Sequence, residues 1–296
     1  MGAGSWSRDD YETYATTTNY VKAPRAEVFR NNRIVDSLNP AKALLRESCD
    51  SADNPNATPV IIALDVTGSM GEYAERIAKQ ALPKIMTSII EGKPISDPHV
   101  MFMAFSDINT SAYMDSFQVS QFEADIRVLE QLREIYLAGG GGGNASESYD
   151  LPWYFAGTRT KTDAFEKRGK KGFLFTMGDE RAPYQAVSAS DLNQVFGGQH
   201  ETFMPIEALA RAKEKYNVFH IVIEQGSGWR NDETAIKQTW NAMLGSNVLY
   251  LRDFTLLPEV ITATMRMTDG SVTINDVLAE STDRQELAHC FQNILG

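Results

Sequence analysis

The stretch "VIIALDVTGSMGEYAERIAKQ" (residues 60–80) decides how the chain is read. It opens as an unbroken apolar run, Val60 to Leu64, of the kind that forms a strand buried on both faces. It closes as a helix, with apolar residues at 74, 77, 78, 81, 82, 85, 86, 89 and 90 making a wide stripe. Between the two, Asp65, Thr67 and Ser69 alternate where the chain leaves the strand. Oxygen-bearing side chains at every second position there can converge above a sheet edge. Hydroxyl and carboxylate oxygens are hard ligands, suited to Mg²⁺, Mn²⁺ or Ca²⁺ rather than to a thiolate-seeking metal. The plainer alternative is that Asp65 and Thr67 cap the helix starting near Gly71.

The same alternation of strand and helix runs outward from this stretch. "HVMFMAFS" (99–106), "KGFLFTMGDE" (171–180), "VFHIVIEQ" (218–225) and "NVLYLRD" (247–253) read as further buried strands, and "FQVSQF" (117–122) as a short edge strand. "EADIRVLEQLREIYL", "PIEALARAKEKYN", "NDETAIKQTWNAML" and "LLPEVITATMRM" read as helices. "SASDLNQVF" reads as a helix capped by Ser190, and Pro83 should kink the helix that contains it. Buried strands alternating with amphipathic helices predict an α/β fold. It is doubly wound, with a mostly parallel sheet and helices on both faces. Ligands in such folds bind beyond the carboxyl ends of the strands. Asp65, Asp107, Asp179, Glu224 and Asp253 gather at those ends.

Residues 1–58 read as a partly ordered N-terminal extension, 59–266 as the main domain and 267–296 as a C-terminal helical tail. In the extension "NPAKALLRES" is a helical candidate, whereas 1–20 show no period. In the tail "DRQELAHCFQNIL" is one. The net charge of −11 argues against a nucleic-acid binder, which needs a basic surface. No stretch reaches the ~20 apolar residues of a membrane helix. No secretory signal is visible at the N-terminus, and the two cysteines, Cys49 and Cys290, read as free thiols. These features set the expectation of a cytoplasmic (or virion) protein. The four histidines lack zinc spacing, and His220 reads as a packed strand residue.

"DVTGSM" resembles the D-x-[ST]-x-S signature of von Willebrand factor type A (vWA) domains, and the order of strands and helices extends the resemblance over about 59–266. The resemblance implies a Rossmann-like sheet carrying a metal-ion-dependent adhesion site, with Mg²⁺ (or Mn²⁺ or Ca²⁺) as cofactor. Thr67 and Ser69 would be direct ligands, and Asp65 would accept hydrogen bonds from bound water. The family's third hydroxyl comes from a loop that here reads "GGGGGNASES" and holds no Thr, which makes Asn144 the matching position. Ser146 and Glu147 follow it as partner-facing candidates, and Asp179 supplies the fourth element. The glycine run 139–143 reads either as a close approach of backbone to an ion or as a linker, and Asp179 and Glu180 as site or turn residues. The segment 181–204, with Arg181 and Tyr184, is a candidate specificity element or an ordinary surface insertion.

No nucleophile–base pair is visible, so the expectation is a non-enzymatic binding module. In the family, an acidic residue of a protein partner completes the metal shell. Intracellular members of the bacterial or phage type act with ring-forming ATPases or in multiprotein assemblies. A structural or scaffold protein is the alternative. An aspartyl-phosphate enzyme fits less well, because "GDERAP" has Ala182 and Pro183 where a second polar ligand should fall.

Overall fold

The computed structural model describes residues 4–108, 116–137, 139 and 147–295. The extension carries helices α1 (Arg8–Thr18) and α2 (Arg25–Val28) and a short strand β1 (Arg46–Ser48). Strand β2 (Thr58–Asp65) leads into α3 (Glu72–Arg76), a π-helical turn (Ile77–Ala81) and α4 (Leu82–Gly92). Then come β3 (Pro98–Phe105), β4 (Phe117–Val119), α5 (Arg127–Glu134), α6 (Asp150–Thr158), β5 (Thr160–Thr162) and α7 (Asp163–Arg168). Strand β6 (Gly172–Gly178) is followed by α8 (Ala189–Phe196), α9 (Pro205–Lys215), β7 (Tyr216–Ile223), α10 (Ser227–Leu244) and β8 (Val248–Leu251). Helices α11 (Leu257–Thr268), α12 (Ile274–Glu280), α13 (Arg284–Cys290) and α14 (Gln292–Leu295) end the chain.

Among the described residues six strands form the central sheet in the order β4-β3-β2-β6-β7-β8. All neighbours are parallel except β4, which runs antiparallel along β3 at the edge. From β2 the chain steps to one side, through β3 to β4, and then returns to the other side at β6. The order therefore reverses between β2 and β6, and a crevice opens there at the carboxyl ends. The side chains of β2 alternate between two cores. Val60, Ile62 and Leu64 pack with α3, α4, α11 and the tail helices. Ile61 and Ala63 pack with α6, α8, α9 and α10. A sheet covered on both faces explains why β2 is apolar throughout rather than alternating.

Several local expectations change. Residues 8–18 are helical although they show no apolar period. Ser7 caps α1 by accepting from the Asp10 amide, and Asp9 and Asp10 fill the first turn. "NPAKALLRES" is not a helix. It turns through Pro40 and ends in β1, which pairs with β5 in a separate two-stranded sheet, leaving Leu44 74% exposed. The cap of α8 is Ser188, not Ser190. Helix α5 covers only the middle of its predicted span, and the tail holds α12 and α14 besides α13. Pro83 has no N–H to return to the Lys79 carbonyl, and the helix widens into the π turn just before it.

Among the described residues no helix is long and apolar enough to cross a membrane. Both cysteines are free. Cys290 is buried, and burial pushes its thiol up to about 12. A neutral, enclosed thiol is a poor nucleophile. In native protein at pH 8, Cys290 is expected to resist an aromatic disulfide reagent and to react fully once denatured. Rapid native reaction at Cys290 would show that α13 is not docked.

Candidate functional site

Asp65 ends β2, and Asp179 follows β6 directly, so the two carboxylates face the crevice from neighbouring strands. Both side chains are fully buried. A chain of hydroxyls joins them. Asp65 Oδ1 accepts from the Thr67 amide at 2.8 Å and from Thr67 Oγ1 at 2.6 Å. Ser69 Oγ donates to Asp179 Oδ1 at 2.8 Å. The oxygens of Thr67 and Ser69 lie 3.1 Å apart. Asp65 and Thr67 do not cap the following helix, whose N-cap is Gly71 with no side-chain cap.

The walls of the site are close-fitting. The Tyr149 hydroxyl donates to Asp65 Oδ2 at 3.3 Å and accepts from the Glu180 amide at 3.2 Å. Tyr149 rests edge-on against His220 and Trp240, which stack on each other 3.4 Å apart, and Trp240 Nε1 donates to the Glu180 carbonyl at 2.9 Å. A Cβ at Gly178 would meet the Tyr149 hydroxyl at 2.2 Å, so only glycine lets these groups close in. On the other wall α10 begins with Gly226-Ser227-Gly228. The Gly228 amide donates to Asp179 Oδ2 at 2.7 Å, a helix N-terminus meeting a carboxylate. Ser227 donates through both its amide and its hydroxyl to the Ser69 carbonyl, each at 3.0 Å. The loop 65–69 is thus tied to α10 as well as to β6.

Burial, and then the charge of Asp179, push the Asp65 carboxyl well above its ordinary value; burial also raises Asp179. Glu180 rises to about 7 by burial and the charge of Asp179. Behind them, burial and the charges of Asp65 and Asp107 raise Glu147, and burial pushes Asp150 up to about 7. So much clustered carboxylate favours protons or a cation.

The donor set fits a small hard cation. A hydroxyl has one proton. Thr67 gives its proton to Asp65 and Ser69 gives its proton to Asp179, so the two oxygens turn lone pairs toward shared space. Neighbouring ligands of an octahedral ion with bonds of ~2.1 Å stand about 3.0 Å apart, close to the separation seen between these hydroxyls. Among the described residues no group of three or more His, Cys, Asp or Glu is placed to hold a metal, so any ion here would depend on the hydroxyls.

Of the residues singled out from sequence, Asp65, Thr67, Ser69 and Asp179 come together. Asn144 and Ser146 lie outside the described residues. Glu147 is 6% exposed, turned inward rather than toward solvent. Arg181 pairs with Asp232 on α10, and Tyr184 is 59% exposed. Sequence reading missed Tyr149, for which nothing in its surroundings gave a signal. It also missed Gly226-Ser227-Gly228, for which a glycine pair flanking a serine directly after a buried strand was the available clue.

No family model matches the chain, and no curated protein matches it. Among solved structures, the pilus adhesin SpaC from Lactobacillus rhamnosus GG in its open conformation is 11% identical. That match has a TM-score of 0.44, covering 72% of this chain and 30% of that one. A von Willebrand factor type A protein from Catenulispora acidiphila is 16% identical, with a TM-score of 0.36, covering 71% of this chain and 42% of that one. Proximal thread matrix protein 1 from the mussel byssus is 12% identical, with a TM-score of 0.45, covering 71% and 47%. The chain spans less than half the length of each of these proteins.

Proposed function

We propose that this chain is a divalent-metal-dependent protein-binding module of the vWA kind, not an enzyme. Thr67 and Ser69 would hold Mg²⁺ or Mn²⁺ directly, with Asp65 and Asp179 behind them. When bound, the ion supplies a Lewis-acidic position for a carboxylate of a protein partner. The observation that carries the reading is the Thr67–Ser69 hydroxyl pair, 3.1 Å apart, set between two buried carboxylates at the point where the strand order reverses. An aspartyl-phosphate role for Asp65 is disfavoured, because both of its oxygens are engaged, by Thr67 and by Tyr149. Within this reading the protein works in a cytoplasmic (or virion) multiprotein assembly, with a ring-forming ATPase as one class of partner.

The test is capture of Asp- and Glu-containing peptides on an array in Mg²⁺ and in EDTA. Capture is expected in Mg²⁺ alone, and Thr67→Val is expected to abolish it, since the change removes one ligand oxygen and little volume. Equal capture in EDTA, or by Thr67→Val, would overturn the metal bridge. A second reading, a scaffold protein, is favoured by one observation. Asp65 already accepts from Thr67, and Asp179 from Ser69, so each carboxylate has a hydroxyl partner without an ion.

A further inference from the structure

We propose that the N-terminal extension is a working part of the site, and that Arg25 is the residue through which it positions the metal-binding loop. The inference rests on the reading above. Residues 20–29 are anchored firmly on the domain. Tyr20, Val28 and Phe29 are buried in the core, and the Tyr20 hydroxyl donates to the Ala78 carbonyl at 3.1 Å. Lys79, itself 7% exposed within the π turn, donates to the Ala23 carbonyl at 2.5 Å. That turn therefore presents both a carbonyl and an ammonium to the extension.

From this anchor Arg25 reaches out and donates to the Leu137 carbonyl. A few residues on, Asn31 Nδ2 donates to the Glu134 carbonyl at 2.8 Å. The chain leaving α5 is thus held at two carbonyls by the extension. Two residues past Leu137, the Gly139 amide donates to the Val66 carbonyl at 3.1 Å, with Gly139 in the left-handed region at φ +64°. Val66 sits between Asp65 and Thr67, and its own amide donates to the Phe105 carbonyl at 2.9 Å. Arg25 thus holds the Leu137 carbonyl and lies beside Gly139, where a Cβ would stand 3.9 Å from its Nη2, and Gly139 ties across to the backbone that aims Asp65 and Thr67. A guanidinium suits the first step, because it holds a carbonyl in a fixed direction. Loss of the Arg25 donor frees Gly139 to leave Val66, and the loop 65–69 then loses one of its backbone ties.

The experiment uses the full chain with Arg25→Ala and Arg25→Lys and has three readouts. These are Mn²⁺ affinity, melting temperature, and hydrogen exchange across 64–71 in metal-free protein. Arg25→Ala is expected to speed exchange in 64–71 and to weaken Mn²⁺ binding about tenfold, the lower end of what loss of an outer-shell partner costs a metal site. Arg25→Lys, which keeps a donor, is expected to recover part of both, with melting little changed throughout. Exchange in 64–71 at the wild-type rate in Arg25→Ala would overturn the proposal. So would an affinity loss that follows a fall in melting temperature and is not relieved by Arg25→Lys. If the wild type binds no Mn²⁺ yet Arg25→Ala speeds exchange, the metal reading fails and the clamp stands. If the wild type binds Mn²⁺ and Arg25→Ala changes nothing, the clamp fails and the metal reading stands.

Discussion

Trp240→Ala is expected to lower the stability of this protein by about 3–5 kcal/mol, the range for removing a buried large aromatic side chain. Trp240 is fully buried and stacks on His220 3.4 Å away, with Tyr149 and Trp153 edge-on to it. Its removal leaves a cavity under three rings and deprives the Glu180 carbonyl of its donor. His220 would keep the Thr176 hydroxyl, 2.9 Å from its Nδ1, but burial holds its ring neutral and among the described residues its Nε2 has no partner. A loss of this size is a large share of the 5–15 kcal/mol typical of a folded domain. Urea denaturation should show it as a midpoint lowered by roughly 1–2 M. Because Tyr149 leans on this stack and donates to Asp65, metal affinity should fall as well. A midpoint within a few tenths of a molar of wild type would mean that the stack does not support this wall of the site.

Asp65→Asn is expected to weaken Mg²⁺ or Mn²⁺ binding by about 100-fold, the upper end of what loss of an outer-shell partner costs, while leaving the fold in place. The amide keeps the size of the carboxyl and its oxygen still accepts from Thr67, while its NH₂ replaces the oxygen that accepts from Tyr149. What disappears is one of the two negative charges that face the cation position. In metal-free protein that charge is unfavourable, since Asp65 is buried opposite Asp179. The variant should therefore melt at or above the wild-type temperature in EDTA, and below it in saturating Mg²⁺, where only the wild type gains from binding. An Asp65→Asn protein that melts far lower in EDTA would show Asp65 to be chiefly a structural residue.

The sequence made the centre of the molecule legible because two strong patterns coincide there. A strand apolar at every position has to be central, and the oxygens at 65, 67 and 69 can then only stand at its carboxyl end. Asp179 was legible for the same reason, at the end of the next buried run. Helix α1 was not legible, since it buries no residue and its signal is a capping serine with two acids rather than a period. The strand at 46–48 was not legible because Leu44 and Leu45, which suggested a helix face, are exposed. Tyr149 and the Gly226-Ser227-Gly228 turn act on the site from 84 and 158 residues away along the chain, and no local pattern reports such contacts. The candidates Asn144 and Ser146 fall outside the described residues.

The central claim is that Thr67, Ser69 and the two carboxylates form a site for a hard divalent ion. Calorimetric titration of Mn²⁺ and Mg²⁺ into EDTA-stripped protein, beside Asp65→Asn, tests it most directly. The expected result is a single saturable site in the wild type that is lost in the variant. No saturable binding, or binding that Asp65→Asn leaves unchanged, would contradict the claim.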